Sequence, residues 1–415
     1  MEGLEKQKEN AYERYGEIKF GDERLSKRLK KTMETLHKDP SLSICGASKD
    51  RYEAKAIYRM LKNPKLTVQP ILETSKAETI AKITAGGEKL ILFPQDTTEL
   101  DYTGLKACEG LGVHGTQLNS RGILLHSAIA VSESGMVYGL MSQELWVRPG
   151  EEHGKSNDRK KRSINDKESR KWLDTMDKSM NGLPDDVTAV TVCDREGDMY
   201  ELFNKAANEG KLFLVRLVQN RLTTEDVKLL DYAKTLEASG TCTVHIPRDT
   251  RNKRKAREAT LAIRYSQITI KAPRNSGYGP GESVTAWAVV AEEVDAPEGV
   301  EPIAWYLLTN VAVTSFEEAG KRVSWYVQRW KIERFHFVLK DVCNVQKSQE
   351  RDAERLKKLI VINSIIAMTI LSLMYFSRTF PDMPCDIIFD DDEWKLLYMV
   401  VNETTVSPPT GANNT

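Results

Sequence analysis

Two short apolar runs in this chain each end at an aspartate, and together they restrict the folds that the chain can adopt. Residues 89–95 stop at Asp96, and residues 187–193 stop at Asp194. Both runs have the length and composition of buried strands. Because ligands in open α/β sheets gather beyond the carboxyl ends of the strands, we expect the two acids to face a ligand.

Further strand patterns surround these two runs. Residues 122–131 and 136–147 predict a hairpin that turns near residues 133–135, and residues 212–218 predict another strand. A helical pattern near residues 200–208 precedes that last strand. These patterns predict an α/β fold, with a mixed sheet and helical crossovers.

The segment between about residue 220 and about residue 310 has a different pattern. Polar and apolar residues alternate at 241–246, 260–265, 268–271 and 284–291. Such alternation predicts strands with one exposed face. We therefore expect a β-rich insertion that is not part of the main sheet.

The first 67 residues predict a small helical module. Residues 22–31 and 49–61 have helical patterns, and Asn63-Pro64 ends the second helix. The module is rich in Lys and Arg, which is compatible with DNA binding. A plain helical cap explains the same pattern almost as well.

The composition argues against binding to nucleic acid through bulk charge, because 60 basic residues balance 60 acidic residues. Local basic runs remain at 153–171 and 248–257, and a solvated loop explains each of them equally well. The six cysteines lack the paired spacing of a zinc site or a disulfide framework. Reduced thiols and an N-terminus without an apolar signal core predict a cytoplasmic protein.

Residues 359–376 are almost wholly apolar and reach the length of a membrane-spanning helix. The run is interrupted by Asn363, Ser364, Thr369 and Ser372. We therefore predict a core helix and no contact with a membrane.

One stretch in the last third of the chain carries Tyr326, Arg329, Glu333 and Lys340. On a single helix these four side chains fall within an arc of roughly 60°. A carboxylate can bind a hard metal ion, cations can hold phosphate, and a phenol can donate to a phosphate oxygen. The alternative is a solvated helix surface with an ordinary ion pair between Arg329 and Glu333.

Asp96, Asp194 and Glu333 would form a site of three carboxylates if the late helix reaches the edge of the sheet. Such a cluster repels itself unless cations neutralise it. Two divalent ions are the natural occupants, and Mg²⁺ suits hard oxygen ligands. A pair of such ions supports in-line displacement at a phosphodiester.

These motifs resemble those of bacterial cut-and-paste DDE transposases of the insertion-sequence-four family, typified by the transposase of transposon five. That family carries the Tyr-Arg-Glu-Lys signature at this spacing and a strand-end motif like Asp96-Thr97-Thr98. Its second acid lies in a motif similar to residues 194–198, Asp-Arg-Glu-Gly-Asp. The resemblance runs from about residue 15 to about residue 398, and it also takes in segments 21–25, 122–127 and 143–148.

The resemblance implies a ribonuclease H-like catalytic core at 68–345, interrupted by the β-rich insertion. It also implies a helical DNA-binding domain at 1–67 and a helical C-terminal segment at 346–415 that ends in a disordered tail. In this family, acids at the positions of Asp96, Asp194 and Glu333 hold two Mg²⁺ ions, for which Mn²⁺ can substitute.

The same resemblance implies that five side chains contact DNA. Those expected on the DNA backbone are Tyr326, Arg329 and Lys340, while Arg216 lies near a DNA hairpin and Trp305 stacks on a flipped base. From the residues alone, a place in a strand core is the better explanation of Trp305, and only the resemblance makes the two explanations about equal.

The implied activity is transposition in a bacterial cytoplasm, on the nucleoid when the protein is bound to DNA. Two copies would bind the terminal inverted repeats in double-stranded DNA, cut the element out through a DNA hairpin, and join it to target DNA. Family members usually continue past Thr415 into a helical segment that pairs two subunits, so homodimer formation is expected to be impaired. The alternatives are a truncated DNA-binding regulator of a full-length relative and a ribonuclease H-like nuclease.

Overall fold

The computed structural model describes residues 11–115, 119–149, 164–246, 255–273, 282–384 and 391–405. Parts of the two basic runs, at 153–163 and 248–254, lie outside the described residues. The tail at 407–415 that was predicted to be disordered also lies outside them.

Ten strands form within the described residues. They are β1 (Leu90–Asp101), β2 (Gly112–Val113), β3 (Arg121–Ser132), β4 (Val137–Trp146), β5 (Thr188–Cys193), β6 (Leu212–Arg216), β7 (Gly240–Ile246), β8 (Arg257–Lys271), β9 (Ser283–Val294) and β10 (Ala304–Thr309).

All ten strands belong to one mixed sheet. Its order is β2-β3-β1-β5-β6-β10-β9-β8-β7, and β4 also pairs with β3. Strands β1, β5 and β6 are parallel to one another, whereas β3 is antiparallel to β1 and β10 is antiparallel to β6. The predicted α/β class, the β3–β4 hairpin and the strands that became β5 and β6 are confirmed.

Two strand predictions are wrong. Strand β1 does not stop at Asp96, because the residues beyond it pair with β3, with Thr97 opposite His126 and Leu100 opposite Ile123. The strands of the 220–310 segment are not separate from the main sheet. They continue it, because β10 pairs with β6 on one side and with β9 on the other.

Helices cover the sheet and form the N- and C-terminal parts of the described chain. They are α1 (Glu23–Lys38), α2 (Ile44–Ala47), α3 (Arg51–Lys62), α4 (Val68–Ala85), α5 (Arg170–Met180), α6 (Tyr200–Glu209), α7 (Leu229–Thr235), α8 (Phe316–Gln328), α9 (Trp330–Phe337), α10 (Ala353–Thr379) and α11 (Asp391–Val401).

Helix α10 is the apolar helix that the sequence predicts. In the described part of the chain it is the one helix long and apolar enough to cross a membrane. In its most apolar stretch of 18 residues, 61% of the residues are buried inside the protein. It packs against β4, α1 and α4. Ile360 and Ile366 are fully buried in the same apolar cluster as Leu29 of α1 and Leu61 of α3. This packing agrees with the prediction of a core helix.

The N-terminal helices are attached to α10 by polar contacts as well. The Nζ atom of Lys358 donates hydrogen bonds to the carbonyl oxygens of Leu61 and Asn63, at 3.0 and 2.9 Å. These bonds satisfy carbonyl groups at the C-terminal end of α3, which have no partner within the helix. The N-terminal module therefore shares its core with the C-terminal helix, and the predicted domain boundaries stay a prediction.

The spacing of the Tyr-Arg-Glu-Lys stretch suggested one regular helix, but the structure does not form one. Helix α8 ends at Gln328, α9 begins at Trp330, and Lys340 lies in a π-helical segment, Val338–Val342. Arg329 between the two helices keeps helical dihedral angles, with φ −55° and ψ −31°. The turn from Tyr326 to Glu333 is therefore nearly preserved, and the change of helix type affects Lys340.

Candidate active site

The two aspartates lie at the same edge of the sheet, on neighbouring parallel strands. Pro94 of β1 is opposite Val192 of β5, and two residues further along these segments are Asp96 and Asp194. The next strand, β6, continues the row at its last residue, Arg216. The structure therefore brings Asp96 and Asp194 together, while their catalytic roles stay a prediction.

A tight loop positions Asp194. The Oδ1 atom of Asp194 accepts a hydrogen bond from the Glu196 backbone N–H at 2.9 Å, which starts a short 3₁₀ turn. Residue 197 in that turn is a glycine because a Cβ atom there would lie 2.4 Å from the Cβ atom of Cys193. Real Cβ contacts are not that short, so a larger residue would push the turn away from β5.

The second acid of the same motif, Asp198, has a structural task. Its Oδ2 atom accepts hydrogen bonds from the backbone N–H groups of Val218 and Gln219, both at 2.7 Å. Its Oδ1 atom accepts from Arg221 Nη2 at 2.6 Å and Nε at 3.1 Å. Asp198 is 3% exposed, and its carboxylate fixes the chain that leaves β6 against the Asp194 loop.

Glu333 reaches the aspartates from α9, which packs against β1. Arg329 donates a hydrogen bond from Nη2 to Oε1 of Glu333, across one helical turn. The Arg329 side chain is only 11% exposed, whereas that of Glu333 is 35% exposed. This is a largely buried ion pair, and not the solvated surface pair that was the alternative prediction.

Asp194 and Glu333 both act electrostatically on Asp96. Burial, followed by the carboxylate of Asp194, raises the pKa of Asp96 to about 7. Arg329 opposes this rise, and Glu333 adds to it. Burial disfavours the charged form of Arg329 itself, but Tyr326, Glu333 and Asp96 outweigh that effect and raise the pKa of Arg329. Segments more than 200 residues apart in the chain thus converge on one charged site.

Two buried histidines beside the acids were not predicted. The Nδ1 atom of His336 lies 3.8 Å from Oδ2 of Asp96. Burial, followed by the charges of Lys340 and Arg329, lowers the pKa of His336 to about 3, so the ring is neutral at physiological pH. His336 follows Glu333 by three residues on the same helix face, a spacing that could have indicated it.

The second histidine, His126 of β3, lies behind the site. Its Nδ1 atom is hydrogen-bonded to Oγ1 of Thr97 at 2.9 Å, and its Nε2 atom to Oε1 of Gln95 at 3.3 Å. The imidazole also packs edge-on against Trp172, with ring centroids 4.7 Å apart. His126 therefore fixes the residues on both sides of Asp96.

The donor set fits a hard divalent cation, although the side chains do not form a finished metal site. Among the described residues, no group of three His, Cys, Asp or Glu side chains has metal-binding spacing. The electrostatics nevertheless favour a cation, because burial and two nearby carboxylates make the negative charge of Asp96 costly. Polar atoms around the acids are also buried without a hydrogen-bond partner in the described chain: Tyr326 Oη, Arg329 Nε and His336 Nε2.

The predicted DNA contacts fall into two groups. Arg329 and the partly exposed Lys340 lie near the acids, since both act on the pKa of His336. Tyr326 is 4% exposed, so its hydroxyl is closed off from solvent, and Trp305 packs against it. Arg216 is half-buried and donates a hydrogen bond from Nη2 to the Ala304 carbonyl at 3.1 Å.

Comparison with known families gives a match in the N-terminal helices. Residues 8–66 match the family described as "Transposase DNA-binding". The match covers α1, α2 and α3, so these helices resemble a transposase DNA-binding domain. It leaves the catalytic region untested, and the resemblance to the insertion-sequence-four family stays a prediction.

A search of solved structures finds a similar chain in the cryo-EM structure of a piggyBac transposase synaptic complex with hairpin DNA. The two chains share 11% identity, the similarity covers 95% of this chain and 79% of that chain, and the TM-score is 0.38. A similarity at this level does not establish the fold.

Proposed function

We propose that this chain is a DDE-type DNA transposase of the insertion-sequence-four kind with a ribonuclease H-like core. It would bind the inverted repeats at the ends of its element, cut the phosphodiester there, and join the freed end to target DNA. The observation that carries the proposal is the convergence of Asp96, Asp194 and Glu333 beside Arg329. The transposase DNA-binding match at residues 8–66 supplies the substrate class.

The proposed cofactor is a pair of Mg²⁺ ions held by Asp96, Asp194 and Glu333, which Mn²⁺ could replace. When bound, these ions would activate the attacking oxygen and stabilise the leaving oxygen of an in-line displacement. The electrostatics of Asp96 support this assignment, since a cation would offset the repulsion among the carboxylates.

The side chains around the acids have separate tasks in this proposal. Arg329 holds Glu333 through its Nη2 hydrogen bond and presents positive charge to a phosphate that approaches the acids. Neutral His336 lies against Asp96 without adding charge. In this proposal Lys340 contacts the DNA backbone, and Arg216 lies near the DNA hairpin. Tyr326 packs against Arg329, with the guanidinium 5.7 Å from the centroid of the Tyr326 ring.

A cleavage assay tests the proposal. The substrate is DNA that carries the inverted repeats flanking the element's own gene, with Mg²⁺ in the buffer. The chain is compared with Asp194→Asn, whose amide oxygen can still accept the Glu196 N–H bond that shapes the loop. Asp174→Asn is the control, because Asp174 lies on α5 in an exposed pair with Arg170.

Blunt or hairpin cuts at the repeat end that vanish in Asp194→Asn and persist in Asp174→Asn would support the transposase. End binding without cutting would favour the alternative, a DNA-binding regulator of a full-length relative. Cutting at sites unrelated to the repeats would favour a ribonuclease H-like nuclease. The proposed location is the cytoplasm, with two copies of the chain bound to one pair of DNA ends.

A further inference from the structure

Helix α3 has an outward face that the fold itself does not use. The helix buries Ala54, Ile57, Met60 and Leu61 against the core. On the opposite side, five exposed side chains fall within an arc of about 100°, given 100° per residue. They are Arg51, Tyr52, Lys55, Arg59 and Lys62.

Tyr52 is the most unusual member of this face. It is 84% exposed, more than any other large apolar side chain in the described residues. A ring that is almost fully in water contributes little burial to the stability of the fold. Tyrosine is enriched where proteins contact partners, and here its ring is set among cations.

The described part of the protein does not neutralise the positive charge on the outward face of α3. Within the described residues, Arg51, Lys55, Arg59 and Lys62 have no carboxylate within 4.0 Å. The one acid in α3, Glu53, turns away: it accepts a hydrogen bond from the Lys49 backbone N–H at 2.8 Å and pairs with Lys31 of α1 at 3.6 Å.

The neighbouring helix α1 provides an internal comparison. Arg24 pairs with Asp22 at 3.2 Å, and Lys27 pairs with Glu23 at 3.7 Å. Lys30 is likewise paired, with Glu13. Four cations on α1, namely Arg24, Lys27, Lys30 and Lys31, thus have acidic partners. Within the part of the chain that the structure describes, the four cations on the α3 face have none. A row of unpaired cations along three helical turns complements a polyanion.

We propose that the exposed face of α3 is the recognition surface that enters the DNA major groove, with Tyr52 and Arg59 on base edges and Lys55 on phosphates. The inference rests on the proposed function and adds which residues read the sequence. An α-helix fits the major groove, where an arginine fork pairs with guanine O6 and N7 and an apolar ring contacts a thymine methyl. A lysine is a point charge suited to phosphate. The capping by Asp50, which accepts from the Glu53 N–H at 2.8 Å, holds the first turn of α3 rigid.

The test starts by letting the 415-residue chain select its own site from a library of random duplex DNA. Affinities of the enriched duplex and a scrambled duplex are then measured over a series of salt concentrations. Arg59→Lys keeps the charge and removes the guanidinium fork. The ratio of the affinities for the enriched and the scrambled duplex should therefore fall about tenfold. The slope of log affinity against log salt concentration should not change. Tyr52→Ala should lower the same preference.

Lys55→Gln should behave differently from both. It should weaken binding to the two duplexes equally and reduce the salt slope by about 1. Lys234→Gln is the matched control, an exposed lysine on α7 outside the segment that matches the DNA-binding family. It should leave affinity, preference and salt slope unchanged. All four side chains are exposed, so unchanged melting temperatures should accompany these results.

Two failures are distinguishable. If the wild-type chain selects a sequence and cuts DNA beside it, but Tyr52→Ala and Arg59→Lys keep the full preference, α3 is not the recognition surface and the transposase proposal stands. If the wild-type chain enriches no sequence and cuts none, both proposals are overturned. Equal effects of Lys55→Gln and Lys234→Gln would also overturn the α3 assignment.

Discussion

The indole ring of Trp305 lies edge-on to the phenol ring of Tyr326, with centroids 5.2 Å apart and planes at 68°. Both rings belong to the apolar cluster between the sheet and α8. The guanidinium of Arg329 lies over the ring of Tyr326. Trp305, at the start of β10, is therefore connected by packing to the segment that carries Arg329 and Glu333.

Trp305→Ala should lower the free energy of unfolding by about 2 kcal/mol, because a half-buried aromatic contact is lost. Trp305→Phe should retain most of that stability. Denaturant unfolding of the three chains checks this. The opposite pattern, in which Trp305→Ala unfolds like the wild type yet no longer forms DNA hairpins, would mean that the ring serves DNA, as the family resemblance implies.

Asp96 should make the stability of the protein depend on pH. Because burial and Asp194 raise its pKa from 3.8 to about 7, the folded state keeps a proton that the unfolded chain loses. The contribution of Asp96 to the free energy of unfolding is thus highest at acid pH, falls as pH rises from about 4 to about 7, and then levels off. The full fall is at most about 4 kcal/mol.

Asp96→Asn removes this titration. The variant should therefore gain stability relative to the wild type on going from pH 5 to pH 8, in buffer with EDTA to remove divalent cations. Thermal unfolding at both pH values is the measurement. A difference between variant and wild type that is the same at pH 5 and pH 8 would contradict the raised pKa. Added Mg²⁺ should stabilise the wild type more than the variant at pH 8.

Glu333→Gln should abolish DNA cleavage and leave binding to the element's ends intact. The amide has nearly the shape of the carboxylate but cannot supply its negative charge to a divalent cation. Binding is measured by gel shift and cleavage on the same DNA. Continued cleavage by Glu333→Gln would remove Glu333 from the active site, and loss of binding would mean that the Arg329–Glu333 pair shapes the DNA surface.

Local sequence patterns predicted much of the sheet. The apolar run at 187–193 and the hairpin that turns near residues 133–135 have strong local signals and formed as expected. The end of β1 was misplaced because the residues after Asp96 are polar yet pair with β3, a contact with no local signature. Likewise, the merging of the 220–310 strands into the main sheet depends on the pairing of β10 with β6, whose residues are about 90 positions apart.

The candidate site was predicted only in part, because some of its contacts also depend on long-range packing that has no local sequence signature. Asp96, Asp194 and Glu333 were identified by motif, and the structure gathers them. The task of Asp198 could not be predicted, since its partner Arg221 is recognised only once β6 is in place. His336 was also missed. Its spacing from Glu333 was a weak signal, and its burial and its approach to Asp96 are evident only once α9 packs against β1.

Gly197→Ala should destabilise the fold by about 2 kcal/mol and displace Asp194. The added Cβ atom would meet the Cβ atom of Cys193 at 2.4 Å, and Cys193→Ser would give no relief since its Cβ atom remains. Gly320→Ala is the control: it lies in α8 with open space around it, so added helix propensity should raise stability slightly. Equal melting temperatures for the two variants would contradict the close approach.

Asp198→Ala should cost about 3 kcal/mol of the free energy of unfolding, because Arg221 would remain buried without its carboxylate. Two backbone N–H groups, those of Val218 and Gln219, would lose their acceptor in the same variant.

Replacing Asp186, whose pair with Lys89 is exposed, should change stability little, since exposed ion pairs contribute little. The double variant Asp198→Ala, Arg221→Ala should be less destabilised than the sum of the two single variants. Exact additivity in that cycle would mean that the two side chains contribute independently, and Asp198 would then hold the Asp194 loop through its backbone bonds alone.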